Sequence, residues 1–276
     1  MKLLYLLGVL FVSITGAFGQ NEEFQLLHGT SILIYIKTDS ILVATDSRMG
    51  NVINGVNVGY NQMCKIKEFN NFIIAMAGVP TIIYDGDTLW SAYNEVVNEL
   101  RIDTSIVTAY NVLYSKILGK LKEYYGAYIK VRPQAEVDSF FNVPRKMLLE
   151  VTMSGFNVRH KPVHANWLYY MDGDKTNWQI VPFQRYLING DVYDPGASTV
   201  ISMAGRQDSM TNYLKGPNQI HVLPKMSLKD AMQFLIKMEI AKDSSSVGLP
   251  VNVLLVTPKG HKWLTNYKVC KSAGGY

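Results

Sequence analysis

The sequence predicts an α+β fold of four layers (αββα), in which two antiparallel β-sheets pack together between layers of helices. Strand-like and helix-like segments come in separate blocks along the chain rather than alternating, which is typical of α+β folds. The first strand-like segments are apolar on both faces, as expected of strands that are covered on both sides. At 276 residues, 48% of them hydrophobic, the chain is also long enough to bury such a core.

The N-terminal residues have the layout of a secretory signal peptide. Lys2 gives a positive start, residues 3–15 are almost wholly apolar, and the segment ends in small residues at Gly19. This run is shorter than the ~20 residues that span a bilayer, although a retained membrane anchor is the alternative. We therefore expect residues 1–19 to be removed, residues 20–29 to remain as a propeptide remnant, and residues 30–276 to form one exported domain without stable membrane insertion.

Two hairpins are predicted to open this domain. Residues 31–36 and 40–46 are apolar, β-rich runs on either side of a short polar turn. Residues 65–69 and 72–77 flank Asn70-Asn71, and asparagine tolerates the positive φ that a tight two-residue turn requires.

Helical periodicity then replaces the strand pattern. Apolar residues recur at helical spacing within residues 89–100 and again within residues 106–121. A third helix is predicted over residues 227–241, where Ser227 and Asp230 form a start that resembles a capping box.

The remaining segments complete the predicted order of elements. Residues 126–144 contain two prolines and mixed polarity, which predicts an inserted loop. Further strands are predicted at residues 147–153, 167–171, 178–183, 251–256 and 262–266.

The junction between Gly29 and Thr30 meets the requirements of one kind of nucleophilic site. A hydroxyl nucleophile needs a base, and a free α-amino group, with a pKa of about 7.7–8.0, can serve when it belongs to the nucleophile itself. The nucleophile must then begin a strand, directly after a peptide bond that can be broken. Thr30 opens the first strand, and Gly29 lacks a Cβ that would hinder a strained junction. Thr30 taken alone is equally an ordinary β-branched residue at the start of a strand.

Several short segments together resemble proteasome β-type subunits, which are N-terminal nucleophile (Ntn) hydrolases. They are HGTSI at 28–32, ATDSR at 44–48, KI at 65–66 and MAG at 76–78, with a partial match of KDSSS at 242–246 and PVNV at 250–253. Asp46 lies sixteen residues after Thr30, as in that family. Lys65 takes the family's lysine position if the next hairpin is one residue shorter, whereas an ungapped alignment would place Cys64 there. The resemblance covers roughly residues 28–268.

The resemblance implies a threonine-type peptidase or amidohydrolase that cuts itself between Gly29 and Thr30. The hydroxyl of Thr30 would attack a carbonyl carbon while the freed amine of the same residue accepts the proton. Lys65 would lower the pKa of that amine, and Asp46 would pair with Lys65. An Asp46–Lys65 or Asp46–Arg48 salt bridge without a catalytic part is the alternative.

Three further residues receive roles from the same resemblance. The backbone N–H of Gly78 would donate to the oxyanion. Asp243 and Ser246 would fix the amine by hydrogen bonds, although a polar loop after a helix is the alternative. The family's serine in a Gly-Ser-Gly turn is missing, because Ala204 stands at that position and Ser202 lies two residues away.

The substrate pocket implied by the alignment is lined by methionines. Met49, Met63 and Met76 would form an adaptable apolar pocket, which favours cleavage after large apolar residues. A role in the hydrophobic core is an equal alternative for these three residues.

Other classes of site find little support in the sequence. The 27 Lys and Arg residues are scattered, so no nucleic-acid partner is expected. His160 and His164 are separated by Pro162, which argues against a metal site on one helical face, and no cofactor is implied. No Gly-x-Ser-x-Gly elbow supports a Ser-His-Asp triad. The two cysteines, Cys64 and Cys270, lie far apart, so we expect two free thiols rather than a disulfide.

Three functional hypotheses follow from the sequence. The first is a self-processed threonine peptidase, and the second is a catalytically silent subunit that serves assembly or binding. The third is an amidase for a small amide, with the inserted loop at 126–144 reshaping the cleft. The resemblance also implies a homo-oligomer, although an exported chain lacks the unfoldase partners and ATP that serve proteasome rings.

Overall fold

The structure is a computed structural model that describes residues 24–28, 30–53, 56–84, 87–101, 103–131, 134–142, 145–189, 200–216, 225–265 and 270. The predicted signal peptide, the start of the propeptide remnant and Gly29 lie outside the described residues. Within the described part of the chain, no helix combines the length and apolarity needed to cross a bilayer.

The described strands and helices follow one another in blocks. The strands are β1 Phe24–His28, β2 Ser31–Ile36, β3 Ile41–Thr45, β4 Arg48–Ile53, β5 Val56–Gln62, β6 Ile66–Glu68, β7 Phe72–Gly78, β8 Thr81–Tyr84, β9 Asp87–Ser91, β10 Lys146–Phe156, β11 Pro162–Gly173, β12 Trp178–Asn189, β13 Val200–Gly205, β14 Asn252–Thr257 and β15 Gly260–Thr265. The helices are α1 Ala92–Glu99, α2 Ile106–Val131, α3 Gln134–Phe141, α4 Asp208–Lys215 and α5 Leu228–Lys242.

These strands form three five-stranded antiparallel sheets. The N-terminal sheet has the order β5-β4-β1-β8-β9, the central sheet β12-β11-β10-β7-β6 and the C-terminal sheet β13-β2-β3-β14-β15. Both predicted hairpins are confirmed: β2 pairs with β3 in the C-terminal sheet, and β6 pairs with β7 in the central sheet.

The predicted four-layer αββα sandwich of two sheets is wrong, because a third sheet is present. It is built from β1, which the sequence suggested was only a leader, and from β4, β5, β8 and β9. The segments RMGNVI of β4 and VNVGYNQ of β5 carry glycine, asparagine and charge instead of an apolar run. Strands of this composition are formed by pairing with neighbours, and a single-sequence pattern does not reveal them.

The three predicted helices are confirmed, whereas the predicted inserted loop is wrong. The hydroxyl of Ser227 accepts a hydrogen bond from the amide of Asp230 at the start of α5. Residues 126–144 contain the end of α2 and all of α3 instead of a loop. The rings of Tyr125 and Phe140 pack at a tilt in the core, with centroids 5.8 Å apart. Tertiary packing therefore stabilises helix beyond the residues in which the sequence shows helical periodicity.

The central and C-terminal sheets share a hydrophobic core. One buried cluster contains residues of both sheets, among them Ile34, Val43, Ile73 and Ala77. Because of this packing, the start of β2, the end of β3 and the end of β7 are buried in one region of the molecule.

A disulfide joins Cys64 to Cys270, with Cα atoms 4.8 Å apart. The expectation of two free thiols is therefore wrong. Separation along the chain was a poor guide, because the fold brings Cys270 against the segment between β5 and β6.

Candidate active site

Asp46 and Lys65 form a fully buried ion pair. Asp46 directly follows β3, and Lys65 lies in the segment between β5 and β6. The Lys65 Nζ lies 2.9 Å from the Asp46 Oδ1, and both side chains are 0% exposed. Burial lowers the pKa of Lys65, while the charge of Asp46 and its hydrogen bond act in the opposite direction. A buried ion pair of this kind requires further hydrogen bonds to be tolerated.

Those further bonds place the Asp46 carboxylate at the start of β2. The backbone N–H of Ser31, the residue after Thr30, donates to Asp46 Oδ1 at 2.8 Å. The amides of Arg48 and Gly248 donate to Oδ2, each at 3.0 Å. Lys65 Nζ also donates to the carbonyl of Arg48. The carboxylate therefore connects the ammonium of Lys65 directly to the backbone next to Thr30.

Thr30 is buried, with 1% of its surface exposed, and the end of β13 holds it there. The amide of Arg206 donates to the Thr30 carbonyl at 2.8 Å. The hydroxyl of Ser31 in turn donates to the carbonyl of Arg206, also at 2.8 Å. Two hydrogen bonds thus join the turn after β13 to Thr30 and Ser31, the two residues that follow the predicted cleavage point.

Gly205 is the residue that allows this close approach. Its φ is +72°, and a Cβ at this position would lie 2.1 Å from the Thr30 carbonyl oxygen. We expect Gly205→Ala to lower the free energy of unfolding by about 1–3 kcal/mol, because alanine is strained at this φ and would push Thr30 away. Chemical denaturation measures the change.

Gly119→Ala is the matched control for this prediction. Gly119 lies within α2, and apart from its chain neighbours and the backbone of its own helix, a Cβ at this position would meet no atom of the described residues within 4 Å. Alanine is preferred over glycine in a helix by about 1 kcal/mol, so this variant should be more stable than wild type. Equal stability of the two variants would contradict the steric role of Gly205.

Asp243 and Ser246 form a second polar group connected to the same turn. Ser246 donates to Asp243 through both its hydroxyl and its amide. The Arg206 Nε lies 3.3 Å from Asp243 Oδ2. Although burial acts to raise the pKa of Asp243, hydrogen bonds from Ser245 and Ser246 and the charge of Arg206 lower it overall. Arg206 therefore joins the Asp243–Ser246 pair to the backbone of Thr30.

Gly78 ends β7 in a conformation that only glycine adopts without strain. Its φ is +95°, and a Cβ there would lie 2.6 Å from the backbone oxygen of Leu148. The packing of β7 against β10 accounts for this glycine by itself. Its part as an oxyanion donor stays a prediction.

The three methionines of the predicted pocket belong to the hydrophobic core or pack against it. Met49 and Met76 are buried members of one core cluster, and Met63 packs against that cluster.

The position of the family's missing serine is buried. Ala204 is 1% exposed, and the Ser202 Oγ lies 2.9 Å from Nε2 of His164. The hydroxyl of Ser202 is therefore engaged by a histidine of the central sheet.

The structure adds residues that the sequence reasoning missed. The Ser47 hydroxyl donates to the carbonyl of Pro250 at 2.8 Å and accepts from Asn252 Nδ2 at 2.6 Å. The Tyr93 hydroxyl lies 3.2 Å from the Lys65 carbonyl and 3.4 Å from the Met76 carbonyl. Ser47 and Asn252 lie in the segments that carry the resemblance, so the sequence contained a signal for them. For Tyr93 the only signal was helical spacing, which does not indicate a functional role.

Comparisons add no further assignment to these residues. No protein-family model matches the chain, and no curated protein matches its sequence. Among the described residues, no three His, Cys, Asp or Glu side chains are grouped so as to hold a metal ion. The arrangement offers a buried threonine, a buried ion pair that accepts from the amide of the next residue, and a polar pair connected to the same turn through Arg206.

Proposed function

We propose that this chain is a threonine-type amidohydrolase, acting as a peptidase, in which Thr30 becomes an N-terminal nucleophile after the chain cuts itself between Gly29 and Thr30. One observation carries the proposal. The Asp46 carboxylate binds both the Lys65 ammonium and the amide of Ser31, so the ion pair lies at the backbone position next to Thr30.

Self-cleavage begins with an N-to-O acyl shift. The Thr30 Oγ attacks the carbonyl carbon of Gly29, a C–O bond forms, the C–N bond breaks, and the nitrogen takes the hydroxyl proton. Water then hydrolyses the resulting ester, leaving a carboxylate on Gly29 and a free amine on Thr30. This order of events produces the base only after the nucleophile has acted once.

Turnover uses the new amine as the general base. The amine takes the proton of the Thr30 hydroxyl while the oxygen attacks the substrate carbonyl, and it later protonates the leaving nitrogen. A neighbouring ammonium disfavours a second positive charge, so Lys65 lowers the pKa of the amine. The resulting acyl ester is hydrolysed by water.

The placement of β1 favours a peptide over a small amide as substrate. β1 lies between β4 and β8, with Leu27 opposite both Asn51 and Thr81. Cleavage after Gly29 would separate β1 covalently from the domain. If β1 then departs, the facing edges of β4 and β8 can accept an extended peptide by strand addition.

Thr30→Ala tests the proposal. Intact mass and N-terminal sequencing of the wild-type protein should give a chain that begins at Thr30, whereas the variant should keep the residues before position 30. Thr45→Val is the matched control, because Thr45 is a buried threonine on β3 opposite Ile32. It should be processed like the wild type. A wild-type chain that begins near Gln20 contradicts self-cleavage.

A catalytically silent subunit is the second candidate, and one observation favours it. Ala204 offers no hydroxyl, and that of Ser202 is bound to His164, so neither provides the serine that the resemblance calls for. A threonine-directed epoxyketone separates the two candidates. The peptidase should be labelled at Thr30, whereas a silent subunit should remain unlabelled even if it is processed.

Export after removal of residues 1–19 and assembly into a homo-oligomer remain parts of the proposal. Export is consistent with the Cys64–Cys270 disulfide, since such bonds persist in oxidising compartments. Mass photometry of the purified chain would determine the oligomeric state.

A further inference from the structure

A buried carboxylate lies on the central sheet close to the candidate site. Glu150 is in β10 and is 1% exposed. Its Oε2 accepts from the amide of Gly205 at 2.8 Å, and its Oε1 accepts from Asn166 Nδ2 at 3.0 Å. The Nη1 of Arg185, whose side chain is 34% exposed, lies 3.6 Å from the same Oε1. Burial raises the pKa of Glu150, while these three partners act to lower it.

The amide that Glu150 binds belongs to the turn that holds Thr30. The amides of Gly205 and Arg206 are consecutive along the backbone, and the Arg206 amide donates to the Thr30 carbonyl. A Cβ on Gly205 would also lie 3.0 Å from the Cβ of Ala77, the residue before Gly78. Glu150 is itself paired with Ala77 across β10 and β7. Its carboxylate therefore contacts a backbone turn that lies between the nucleophile and the strand of the predicted oxyanion donor.

We propose that Glu150 is a positioning residue for the reaction of Thr30, which acts by anchoring the Gly205–Arg206 turn through the Gly205 amide. The inference rests on the proposed threonine hydrolase. Ala204 supplies no hydroxyl at this turn, so the anchor comes from the facing sheet instead. The function of Glu150 depends on the reach of its carboxyl group, since a shorter side chain would leave the Gly205 amide without its acceptor.

Two substitutions separate reach from charge. Glu150→Gln keeps the reach, and its amide oxygen can still accept from Gly205. Its NH₂ group can donate to Asn166 Oδ1, an atom with no partner among the described residues, once the Asn166 amide is turned over. Glu150→Asp keeps the charge but withdraws it by one methylene group. Glu150→Ser replaces the aspartate variant if that variant cannot be purified folded.

Thr152→Val is the matched control. Thr152 lies two residues further along β10, is 0% exposed, and its hydroxyl has no partner in the described part of the chain. Residues two apart on a strand share a face, so this variant perturbs the same side of the sheet without touching the turn.

The rate of self-cleavage and the kinetics of epoxyketone labelling are the readouts, at a temperature where thermal unfolding shows every variant to be folded. For Glu150→Asp we expect the maximal labelling rate to fall about 100-fold, as for a reactive group displaced by about 1 Å, with little change in the half-saturating concentration. Glu150→Gln and Thr152→Val should stay near wild type.

Two results would overturn the inference. Wild-type rates in Glu150→Asp would show that the anchor is unnecessary, and a loss in Glu150→Gln equal to that in Glu150→Asp would show that the reach of the side chain does not by itself explain its role. A wild-type protein that neither cleaves itself nor becomes labelled refutes the proposed function instead. In that case amide hydrogen exchange over residues 203–208, in the Thr30→Ala background, still decides whether Glu150 anchors the turn, since exchange should quicken in the aspartate variant alone.

Discussion

Lys65→Met is expected to lower turnover by about 100- to 10,000-fold while the chain stays folded. Without the ammonium, the Thr30 amine would remain protonated at neutral pH and could not act as the base. The Asp46 carboxylate would still accept hydrogen bonds from the amides of Ser31, Arg48 and Gly248. Because those hydrogen bonds persist, we expect most of the loss in turnover to come from a slower chemical step and not from unfolding.

The pH dependence of labelling tests this explanation directly. A lost cation, and a carboxylate left without its partner, both raise the pKa of a nearby amine. The acidic limb of the rate profile should therefore move to higher pH in Lys65→Met, and part of the activity should return under alkaline conditions. A uniform loss at every pH would contradict the role of Lys65 in tuning the amine.

Removal of the other partner should have a different consequence. Asp46→Asn leaves the buried Lys65 ammonium without a counter-charge, and breaking a buried pair in this way costs about 3–5 kcal/mol of stability. Urea unfolding in the Thr30→Ala background measures this cost without interference from self-cleavage. Asp46→Asn should be the less stable of the two single variants.

Lys116→Met provides the comparison for a surface pair. Lys116 and Glu99 lie 2.8 Å apart with 43% and 31% of their side chains exposed. Exposed pairs of this kind contribute at most about 1 kcal/mol. A loss in Asp46→Asn no larger than in Lys116→Met would mean that the buried pair does not organise the site.

Acidification is expected to destabilise the protein through His164, by about 3 kcal/mol between pH 6.5 and pH 4. His164 is fully buried, with Nδ1 2.8 Å from the hydroxyl of Ser154 and Nε2 2.9 Å from that of Ser202. Burial lowers the pKa of His164 from 6.5 to about 4. In this pH range the unfolded chain binds a proton that the folded chain does not, so stability falls as the pH falls.

His164→Gln should flatten this dependence. Denaturant unfolding at several pH values between 4 and 6.5 gives the slope for each protein, and the difference between the two slopes isolates His164 from other titrating groups. His160→Gln is the control, because His160 lies in an exposed turn. If the slope is equally steep in wild type and His164→Gln, the buried imidazole is not the source of the acid sensitivity.

The sequence by itself identified the two hairpins, the helices around α1, α2 and α5, and the segments that carry Asp46, Lys65, Asp243 and Ser246. These features leave a local signal. Apolar runs and helical spacing reflect burial of one element, and short polar segments retain their residue types wherever the chain leads. The resemblance placed Asp46 near Thr30, and the β2–β3 hairpin that spans the interval brings its carboxylate to the amide of Ser31.

Only the tertiary structure decided the third sheet, the Cys64–Cys270 disulfide and the anchors around Thr30. β1 and β4 form strands because they pair with one another, and the residue pattern of neither segment predicts a strand. Glu150 and Gly205 are 55 residues apart in the chain and meet only where β10 and β13 come together. Contacts between distant segments depend on how sheets pack, and that packing is a property of the whole chain rather than of any one segment.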